Sequence, residues 1–431
     1  MPTQIRKLNR ICSILLISLL LLAQFACAAN PQTLHWYKGN LHTHSLWSDG
    51  DDYPEMVVDW YKNHGYHFLA LSDHNKLSQG QKWLDITHKR AGEQSFKKYL
   101  QRFGENWVQQ RIVDGTTQIR LKPLSEFRCF FEEPERFLLI QAEEITQKKA
   151  HVNAINLIKP IPKQQGETAI EVMQNCINAV ISQSSRTGQT MLTHINHPNY
   201  KWMVTAEDIM HLKDAKFFEV CNYSTNCNNR GDKDHPSTER MWDIVLTKRL
   251  TELNLPIIYG IATDDTHNYH NFGQKYSNPG RGWVVVRCSH LTPESIIKAM
   301  DKGVFYASLG VELQDIQFDG KTLKIKIKPE KGASYTTQFI ATLKTADMTS
   351  KPVTDANGVE LHITQRYSDD IGKVVSQIKG TAAAYTLSGN EIYVRAKVIS
   401  TKPKANPVDI GDFEVAWIQP VIPKIKDKTD K

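Results

Sequence analysis

Histidines and carboxylates recur in six short clusters between residues 40 and 267. The first cluster has His42 and His44 in a His-x-His pattern, and Ser48-Asp49-Gly50 follows closely. The others are Asp73-His74, Glu143-Glu144, His151, His194-Ile195-Asn196-His197 and Asp264-Asp265-Thr266-His267. Because alternate residues of an extended segment point to the same side, His42 and His44 should face the same way. Imidazoles and carboxylates are common metal ligands, so the clusters together predict a metal site.

The clusters follow short apolar runs that are typical of β-strands. Such runs are present at residues 34–38, 68–71, 137–142, 152–158, 190–193, 217–220, 257–261 and 283–287. Helical patterns lie between them at residues 55–62, 169–182, 239–251 and 293–300. This alternation predicts a parallel α/β architecture with enough units to close a barrel. Because barrels carry their active sites at the carboxyl ends of the strands, the clusters should converge on one pocket.

Two regions depart from this alternation. Residues 77–135 are charged and aromatic, and we interpret them as an insertion that either covers one end of the barrel as a lid or packs against its side. After Gly310 apolar and basic residues alternate, as in Leu323-Lys324-Ile325-Lys326-Ile327-Lys328, which is typical of half-buried antiparallel strands. Residues 311–420 are therefore predicted to form a small all-β, sandwich-like domain, followed by a charged tail at residues 421–431.

The order of the motifs resembles that of the polymerase and histidinol phosphatase (PHP) superfamily. The series runs His-x-His, Ser-Asp-Gly, Ser-Asp-His, a Glu that closes an apolar strand, His, His-Pro and Asp-x-His, over about residues 36–267. An exported branch with a β-rich C-terminal region is similar to the whole chain. The resemblance implies a distorted (β/α)7 barrel at residues 34–310 that binds two or three divalent metal ions, which would be manganese, zinc or iron. The ligands that it implies are His42, His44, Asp49, His74, Glu144, His151, His197, Asp265 and His267.

The family pattern decides between neighbouring residues at three ligand positions. It favours Glu144 over Glu143, His197 over His194, and Asp265 over Asp264. A departure from the pattern is Asp49, which stands where related phosphatases often have histidine. An added carboxylate at this position should favour manganese or iron over zinc.

The resemblance also implies a hydrolytic mechanism. Glu144 is the natural bridge between two cations, and water shared by such ions loses a proton near neutral pH and becomes a nucleophile. Asp73, beside His74, is predicted either to orient an imidazole or to protonate the leaving group. Arg281, in Gly280-Arg281-Gly282, is predicted either to clamp a phosphate or to be a surface residue of a turn.

The amino terminus has the pattern of a signal peptide at residues 1–28. A basic stretch at residues 6–10 precedes an apolar run at residues 11–23, and Ala26-Cys27-Ala28 offers a cleavage site. The apolar run is too short to span a bilayer, and no later segment is apolar enough to do so. We therefore expect a periplasmic or secreted protein. An uncleaved anchor helix and lipid attachment at Cys27 are the alternatives.

The charge and cysteine content restrict the partners. The formal net charge is +7, and removal of a signal that contains Arg6, Lys7 and Arg10 would leave +4. That excess suits a small anionic substrate but does not form the basic stripe of a protein that binds duplex nucleic acid. No CxxC pair is present, so a thiolate zinc site is not expected. Cys221 and Cys227 are either a local disulfide or two free thiols.

Three functions remain open from the sequence. The first is a phosphoesterase that acts outside the cytoplasm on a phosphorylated small molecule or nucleotide. The second is a metal-dependent hydrolase of a carbamate, ester or amide, since the same activated water attacks phosphorus or carbonyl carbon. The third is a non-catalytic binding protein, whose β-rich region would bind a partner that the sequence does not identify. A cationic clamp near the metals would favour the first function, and an apolar, aromatic pocket the second.

Overall fold

The computed structural model describes residues 33–87, 90 and 92–423 of the chain. Its helices are α1 (Pro54–Asn63), α2 (Gly92–Phe103), α3 (Leu124–Phe131), α4 (Ala169–Thr187), α5 (Ala206–Met210), α6 (Thr238–Thr251) and α7 (Pro293–Asp301). The strands up to residue 310 are β1 (His35–Asn40), β2 (Phe68–Leu71), β3 (Lys82–Asp85), β4 (Gln110–Val113), β5 (Thr116–Leu121), β6 (Leu138–Thr146), β7 (His151–Ile155), β8 (Leu192–Ile195), β9 (Phe217–Asn222), β10 (Tyr259–Thr263), β11 (Trp283–Cys288) and β12 (Phe305–Ser308). The later strands are β13 (Leu313–Phe318), β14 (Thr322–Ile327), β15 (Tyr335–Leu343), β16 (Ser350–Lys351), β17 (Arg366–Tyr367), β18 (Lys373–Lys379), β19 (Ala382–Thr386), β20 (Glu391–Pro403) and β21 (Phe413–Val421).

Some of the sequence predictions fall on the ends of the chain or on its thiols. The predicted signal peptide lies outside the described residues, as does most of the charged tail. None of the helices that the structure describes combines the length and the apolar character needed to cross a membrane. Cys221 and Cys227 are both free thiols, which is one of the two alternatives left open by the sequence.

The structure has the predicted mixed α/β architecture and is built around one large sheet. The sheet has thirteen strands in the order β10-β9-β8-β7-β6-β2-β1-β11-β12-β21-β20-β15-β18. β1, β2 and β6 run parallel, as do β8, β9 and β10, whereas β7 is antiparallel to both of its neighbours. Beyond the strand ends, the amide of His44 donates to the carbonyl of Thr266 (3.1 Å), and the amide of Asp265 donates to the carbonyl of His42 (3.1 Å). The carboxyl ends of β1 and β10 therefore meet, and their histidines and carboxylates meet with them.

Local sequence explains the elements that carry this edge of the sheet. β2 and β9 are buried along their whole length, which suits strands that are covered on both faces. α4 begins after Thr168, whose side chain accepts a hydrogen bond from the amide of Glu171, and ends at Gly188 in the left-handed conformation. At Gly50 a Cβ would lie 2.7 Å from the backbone of His44, so the tight loop after His44 requires glycine.

The predicted insertion at residues 77–135 forms a small layer that packs on the loop at residues 45–53. Its strands form a sheet in the order β3-β5-β4, with α2 and α3 in the same segment. The ring of Tyr99 stacks on Tyr53 with centroids 4.1 Å apart, and the indole of Trp47 donates to the carbonyl of Lys122 (3.2 Å). Because this loop carries Asp49, the insertion supports one of the candidate ligands.

The described chain after Gly310 contains strands and no helix. β14 coincides with the predicted alternating segment, and its apolar side chains are buried while its lysines are exposed. The all-β, sandwich-like domain stays a prediction: β13, β14 and β19 form a separate sheet whose apolar residues cluster with those of β15, β20 and β21, whereas β21 also pairs with β12 and joins β20, β15 and β18 to the large sheet. Arg395 also forms a buried ion pair with Asp243 of α6 (2.6 Å). The chain from Trp36 onward is accordingly one compact unit.

Candidate metal centre

The nine residues predicted as metal ligands lie in one cluster at the carboxyl ends of the parallel strands. Most of them follow a strand closely, as His74 follows β2 and Asp265 follows β10. His151 begins β7, and because β7 is antiparallel to β6 its first residue lies at the same edge. Short distances between side chains connect His42, His44, Asp49, His74, Glu144, His151, His197, Asp265 and His267.

Glu144 lies at the centre of the cluster and is fully buried. Its Oε2 is 3.4 Å from Nε2 of His42 and 3.3 Å from Nε2 of His44. Its Oε1 is 3.3 Å from Nε2 of His197 and 2.8 Å from Nδ1 of His151. Oε2 also lies 2.6 Å from Nδ1 of His74, so the two carboxylate oxygens face different sets of imidazoles, as expected of a carboxylate that bridges two cations.

Asp265 contacts the same two imidazoles as Oε2 of Glu144. Its Oδ1 lies 3.3 Å from Nε2 of His42 and 3.1 Å from Nε2 of His44. The backbone of Asp265 has a φ of 47°, in the left-handed region that residues other than glycine rarely adopt. Such a conformation costs on the order of 1 kcal/mol or more, and residues held in this way cluster at functional sites.

Asp49 forms a third group at the outer end of the cluster. Its Oδ1 lies 3.4 Å from Nε2 of His74 and 3.3 Å from Nε2 of His267. The side chain of Asp49 is 34% exposed, whereas those of His42 and Glu144 are fully buried. The cluster therefore runs from a closed inner end to an outer end that a substrate can reach.

The spacing of these atoms fits the coordination of shared metal ions. Two ligand atoms held about 2.1 Å from one cation, at angles of about 90–110°, lie about 3.0–3.4 Å apart. Three groups of ligand atoms lie within 4.8 Å of one another, and they are His44/Asp49/His74/His267, His42/His44/Asp265 and His42/Glu144/His197. Nε2 of His42 and Nε2 of His44 are also buried without a hydrogen-bond partner among the described residues, although buried polar atoms are normally paired. The cluster can thus hold divalent ions, and the three groups overlap as in a polynuclear site.

The charges of the cluster are those of a site that binds cations. Although burial opposes ionisation, the surrounding imidazoles lower the pKa of Glu144 well below its usual value. Burial, reinforced by two neighbouring imidazoles, lowers the pKa of His44 to about 3, so this ring is neutral. Burial also opposes a charge on His42, but the carboxylates around it outweigh burial and raise its pKa well above the usual value. A metal ion must therefore displace a proton from His42, as is general when a protonated ligand binds a metal.

Glu219, on β9, holds the candidate ligands His42 and His197 in place and was not predicted. Its Oε1 lies 2.7 Å from Nδ1 of His42 and accepts a hydrogen bond from the hydroxyl of Thr263 (2.7 Å). Its Oε2 accepts from the amide of His197 (2.6 Å) and from the side-chain amide of Asn222 (2.8 Å). A carboxylate bonded to Nδ1 fixes the proton on that nitrogen and leaves Nε2 available for a metal. The only signal in the sequence is a glutamate within an apolar run, Phe217-Phe218-Glu219-Val220.

Asp73 does not reach the cleft, so the prediction that it protonates a leaving group is wrong. It is 1% exposed, and its carboxylate accepts hydrogen bonds from the amides of Ser45 (2.9 Å) and Ser48 (2.9 Å) and from both of their hydroxyls. The hydroxyl of Ser48 lies 3.4 Å from Nδ1 of His44. Asp73 therefore holds the loop after His44 and acts on that imidazole only through Ser48.

Arg281 is buried in the fold, and both predictions made for it are wrong. It neither clamps a phosphate nor lies on the surface of a turn. Its side chain is fully buried, and it is not among the residues that line the cleft. Its guanidinium donates to the carbonyls of Asn406 (3.0 Å), Tyr276 (2.6 Å) and Gly273 (2.9 Å). All three nitrogens of the guanidinium are used in this way, and none is left for a substrate.

The neighbours that the pattern rejected as ligands have different surroundings. Oε2 of Glu143 accepts from the amide of Ile161 (3.0 Å), and this carboxylate touches no imidazole of the described residues. Asp264 accepts from the hydroxyl of Tyr61 (2.8 Å) and from backbone amides of the turn at residues 280–282. The ring of His194 is buried with its centroid 6.1 Å from that of His42, behind the groups that face the cleft. The preferred residue of each pair lies in the cluster.

A cleft of about 690 Å³ opens over the outer end of the cluster. Asp49, His74, His151, His197, Asp265 and His267 line its floor. Four basic residues also line it, namely Arg90 of the insertion, Lys148, Lys201 and Lys275. Most of the remaining lining is polar, and Met203 and Tyr200 are its larger apolar or aromatic members. The cleft therefore combines a carboxylate- and imidazole-rich floor with basic walls.

Known proteins resemble this chain only distantly. No protein-family model matches the chain, and no curated protein matches it. Among solved structures, the chain is similar to a two-domain protein from Bacteroides vulgatus that contains a predicted PHP-like metal-dependent phosphoesterase. The similarity covers 90% of this chain and 95% of that chain, with 13% sequence identity and a TM-score of 0.35. Similarity at that level decides neither fold nor activity, so function is inferred from the site.

Proposed function

We propose that this protein is an exported, metal-dependent phosphoesterase of the PHP type. It would bind two or three divalent ions of manganese, zinc or iron and hydrolyse a phosphorylated small molecule or nucleotide. In this proposal the seven strands β1, β2 and β6–β10 form a distorted barrel, closed where the residues after β1 and β10 exchange hydrogen bonds. The β-rich region after residue 310 packs against it and contributes no ligand.

The convergence of the predicted ligands around Glu144 carries this proposal. Residues from six separate clusters of the sequence bring nitrogen and oxygen atoms to within 2.6–3.4 Å of one another. Buried carboxylates and imidazoles that lack hydrogen-bond partners are costly in a protein unless a cation or proton neutralises them. The complete set of candidate ligands at the floor of an open cleft therefore favours a metal-dependent enzyme over a binding protein without catalysis.

The side chains of the chain itself have distinct tasks at this site. Bound divalent cations would supply a water of lowered pKa and positive charge for the oxygens of a phosphoryl group. Glu219 keeps the proton of His42 on Nδ1, so that Nε2 faces the centre of the cluster. The insertion fixes the loop of Asp49, and Arg90 donates to the carbonyl of Asp49 at the wall of the cleft. Arg90, which also pairs with the carboxylate of Asp49 (3.7 Å), and Lys275 both line the cleft, where their charges favour an anionic substrate.

The walls of the cleft favour a phosphate ester over a carbamate, carboxyl ester or amide. A neutral substrate of the second kind gains most from apolar and aromatic walls. Here the walls contain Arg90, Lys148, Lys201 and Lys275, and few apolar side chains. Basic side chains attract a phosphate dianion and orient it by charge-assisted hydrogen bonds.

The test is a reconstitution experiment with a matched pair of variants. The purified protein would be stripped of metal and reloaded separately with Mn²⁺, Zn²⁺ or Fe²⁺. It would then be assayed on phosphate monoesters, phosphate diesters, carboxyl esters and carbamates. Glu144→Gln and Glu143→Gln make the same chemical change at adjacent positions, one inside the cluster and one outside it.

We expect metal-dependent hydrolysis of phosphate esters in the wild type. Glu144→Gln should lose at least ~100-fold in kcat/KM, since even outer partners of metal ligands are worth about 10–100-fold. Glu143→Gln should stay close to the wild type. Metal-dependent activity on carboxyl esters or carbamates alone would refute the choice of substrate class. Activity that survives metal removal, or that Glu144→Gln leaves unchanged, would refute the proposed site.

A further inference from the structure

We propose that the cleft contains a second anion-binding site, formed by Lys148 and Lys201, which takes an acidic group of the substrate other than the phosphoryl group being hydrolysed. The inference rests on the proposed function, because it names a further feature of the same substrate. It makes the substrate a molecule with two anionic groups separated by a spacer.

The two lysines flank the same end of the metal cluster. Lys148 lies in the turn between β6 and β7, just before His151, and Lys201 lies just after His197. Both line the cleft. The ring of Tyr200, next to Lys201, has its centroid 6.0 Å from that of His151 and 5.1 Å from that of His197. Arg90 and Lys275 line the same cleft, and Arg90 lies beside Asp49, where it donates to the carbonyl of that residue.

Neither lysine has an anionic partner within the described chain. Lys148 and Lys201 belong to no ion pair among the described residues, although many other lysines there do, for example Lys62 with Glu133 (2.6 Å). The Nζ of Lys201 lies 5.0 Å from the centroid of the Tyr200 ring, which does not neutralise its charge. Two unpaired cations at the wall of one cleft create a positive potential that an anion can occupy.

The backbone fixes Lys201 at this wall. Lys201 and Trp202 have φ values of 51° and 55°, so two consecutive residues other than glycine are in the left-handed region. Trp202 stacks on His235 with ring centroids 3.9 Å apart, and the side chain of Asn199 donates to the carbonyls of Asn228 (2.9 Å) and Pro236 (3.0 Å). An unfavourable conformation of this kind persists where neighbouring structure holds it, and it is frequent at ligand-binding positions.

The chemistry of the site identifies its ligand as a carboxylate or a phosphate. Lysine binds either group as a point charge, without the paired geometry that arginine imposes. The phosphoryl group that reacts must lie over the cluster, so the second anion is a separate group of the same molecule. Its distance from the reacting phosphorus should select substrates by length.

The experiment compares three series of phosphate monoesters that share the same alkyl spacers. One series ends in a hydroxyl, one in a carboxylate and one in a second phosphate, with spacers of two to eight carbons. The probes are assayed with the metal-loaded full chain, its Lys148→Gln/Lys201→Gln double variant and the control Lys326→Gln. Lys326 is exposed on β14, away from the cleft.

The wild type should prefer one or both anionic series over the hydroxyl series by at least ~10-fold in kcat/KM at an optimal spacer length, as expected for one charge-assisted hydrogen bond or more. The preference should decrease as ionic strength rises. The double variant should lose the preference, and Lys326→Gln should keep it. Preference for only the carboxylate or only the phosphate series would identify the anion.

The two failures are distinguishable. The second anion site would be refuted if the wild type had equal kcat/KM for all three series, or if the double variant kept the preference for an anionic series. In either case metal-dependent hydrolysis of the hydroxyl series would still support the proposed function. Absence of metal-dependent hydrolysis in every series would instead overturn the proposed function. Melting curves of the metal-free variants check that each of them is folded.

Discussion

Replacing Glu219 by glutamine should weaken metal binding, because no orientation of the amide reproduces the contacts of the carboxylate. If the amide oxygen faces Nδ1 of His42, the amide nitrogen faces the backbone amide of His197 and the side-chain amide of Asn222, which are both donors. If the amide is turned round, its nitrogen donates to Nδ1 of His42 and moves the proton of that ring to Nε2. Nε2 is the atom that faces Glu144 and Asp265.

Both orientations of the new amide should reduce metal affinity. In the first case two buried donors lose their acceptor and meet another donor, which costs about 1–3 kcal/mol per unsatisfied group. In the second case Nε2 carries the only proton of a neutral His42 ring, so a metal ion at Nε2 would have to displace that last proton, whereas in the wild type the ring keeps a proton on Nδ1 after the metal binds. We expect a loss of about 10–100-fold in metal affinity, the range usual for a partner that orients a ligating histidine, which corresponds to about 1.4–2.8 kcal/mol.

The affinity can be measured by competition between the protein and a chromophoric chelator for Mn²⁺ or Zn²⁺, with kcat/KM as a second readout. Glu143→Gln is the control, because it alters a buried carboxylate that accepts only the amide of Ile161 (3.0 Å). Melting curves of the metal-free proteins separate a change in stability from a change in metal affinity. Metal affinity and kcat/KM within about twofold of the wild type would refute the orienting role of Glu219.

Three further predictions concern stability. Arg281→Lys should lower the free energy of unfolding by ~2 kcal/mol or more, because lysine cannot replace the hydrogen bonds to the carbonyls of Gly273, Tyr276 and Asn406. A melting experiment measures this loss. Unchanged stability together with a raised KM would instead indicate that Arg281 binds a phosphate of the substrate. Removal of metal by a chelator should reduce the free energy of unfolding by about 3–4 kcal/mol per site, relative to protein in a metal concentration of 100–1,000 times Kd. Equal melting temperatures with and without metal would contradict a buried metal site. Burial raises the pKa of Glu55 from its usual 4.5 to about 7, so the folded state holds a proton that the unfolded state releases, and stability falls as pH rises from about 4.5 to 7. In Glu55→Gln the decrease in stability between pH 5 and 8 should be smaller by up to about 3 kcal/mol. The melting temperature of the variant should therefore rise relative to that of the wild type as the pH increases from 5 to 8. A difference in melting temperature that does not change with pH would contradict the raised pKa of Glu55.

The candidate ligand positions could be picked out in the sequence because they are local features. Most of them stand at or near the end of an apolar strand, so a short motif marks them, as in His42-Thr43-His44. Parallel strands bring such ends to one edge of a sheet, which is why the separate motifs meet. The family order of motifs then distinguished Glu144 from Glu143, and the structure places the preferred residue at the centre of the cluster.

The errors arose where a residue depends on distant parts of the chain. Glu219 lies within an apolar strand, and its partner His42 is 177 residues away, so no spacing indicates the contact. Arg281 lies between two glycines, which suggests an exposed turn, but a carbonyl 125 residues later in the sequence helps to bury it. The pairing of β21 with β12 likewise joins segments that no local pattern connects.

The number of metal ions bound per chain, measured by elemental analysis after metal removal and reloading, tests the central claim most directly. Two or three ions per chain are expected for the wild type and for Glu143→Gln. Glu144→Gln should bind at least one ion fewer, because the substitution removes the carboxylate whose two oxygens face the two sets of imidazoles. Fewer than two ions per wild-type chain at saturation, or the same number in Glu144→Gln as in the wild type, would contradict a polynuclear site centred on Glu144.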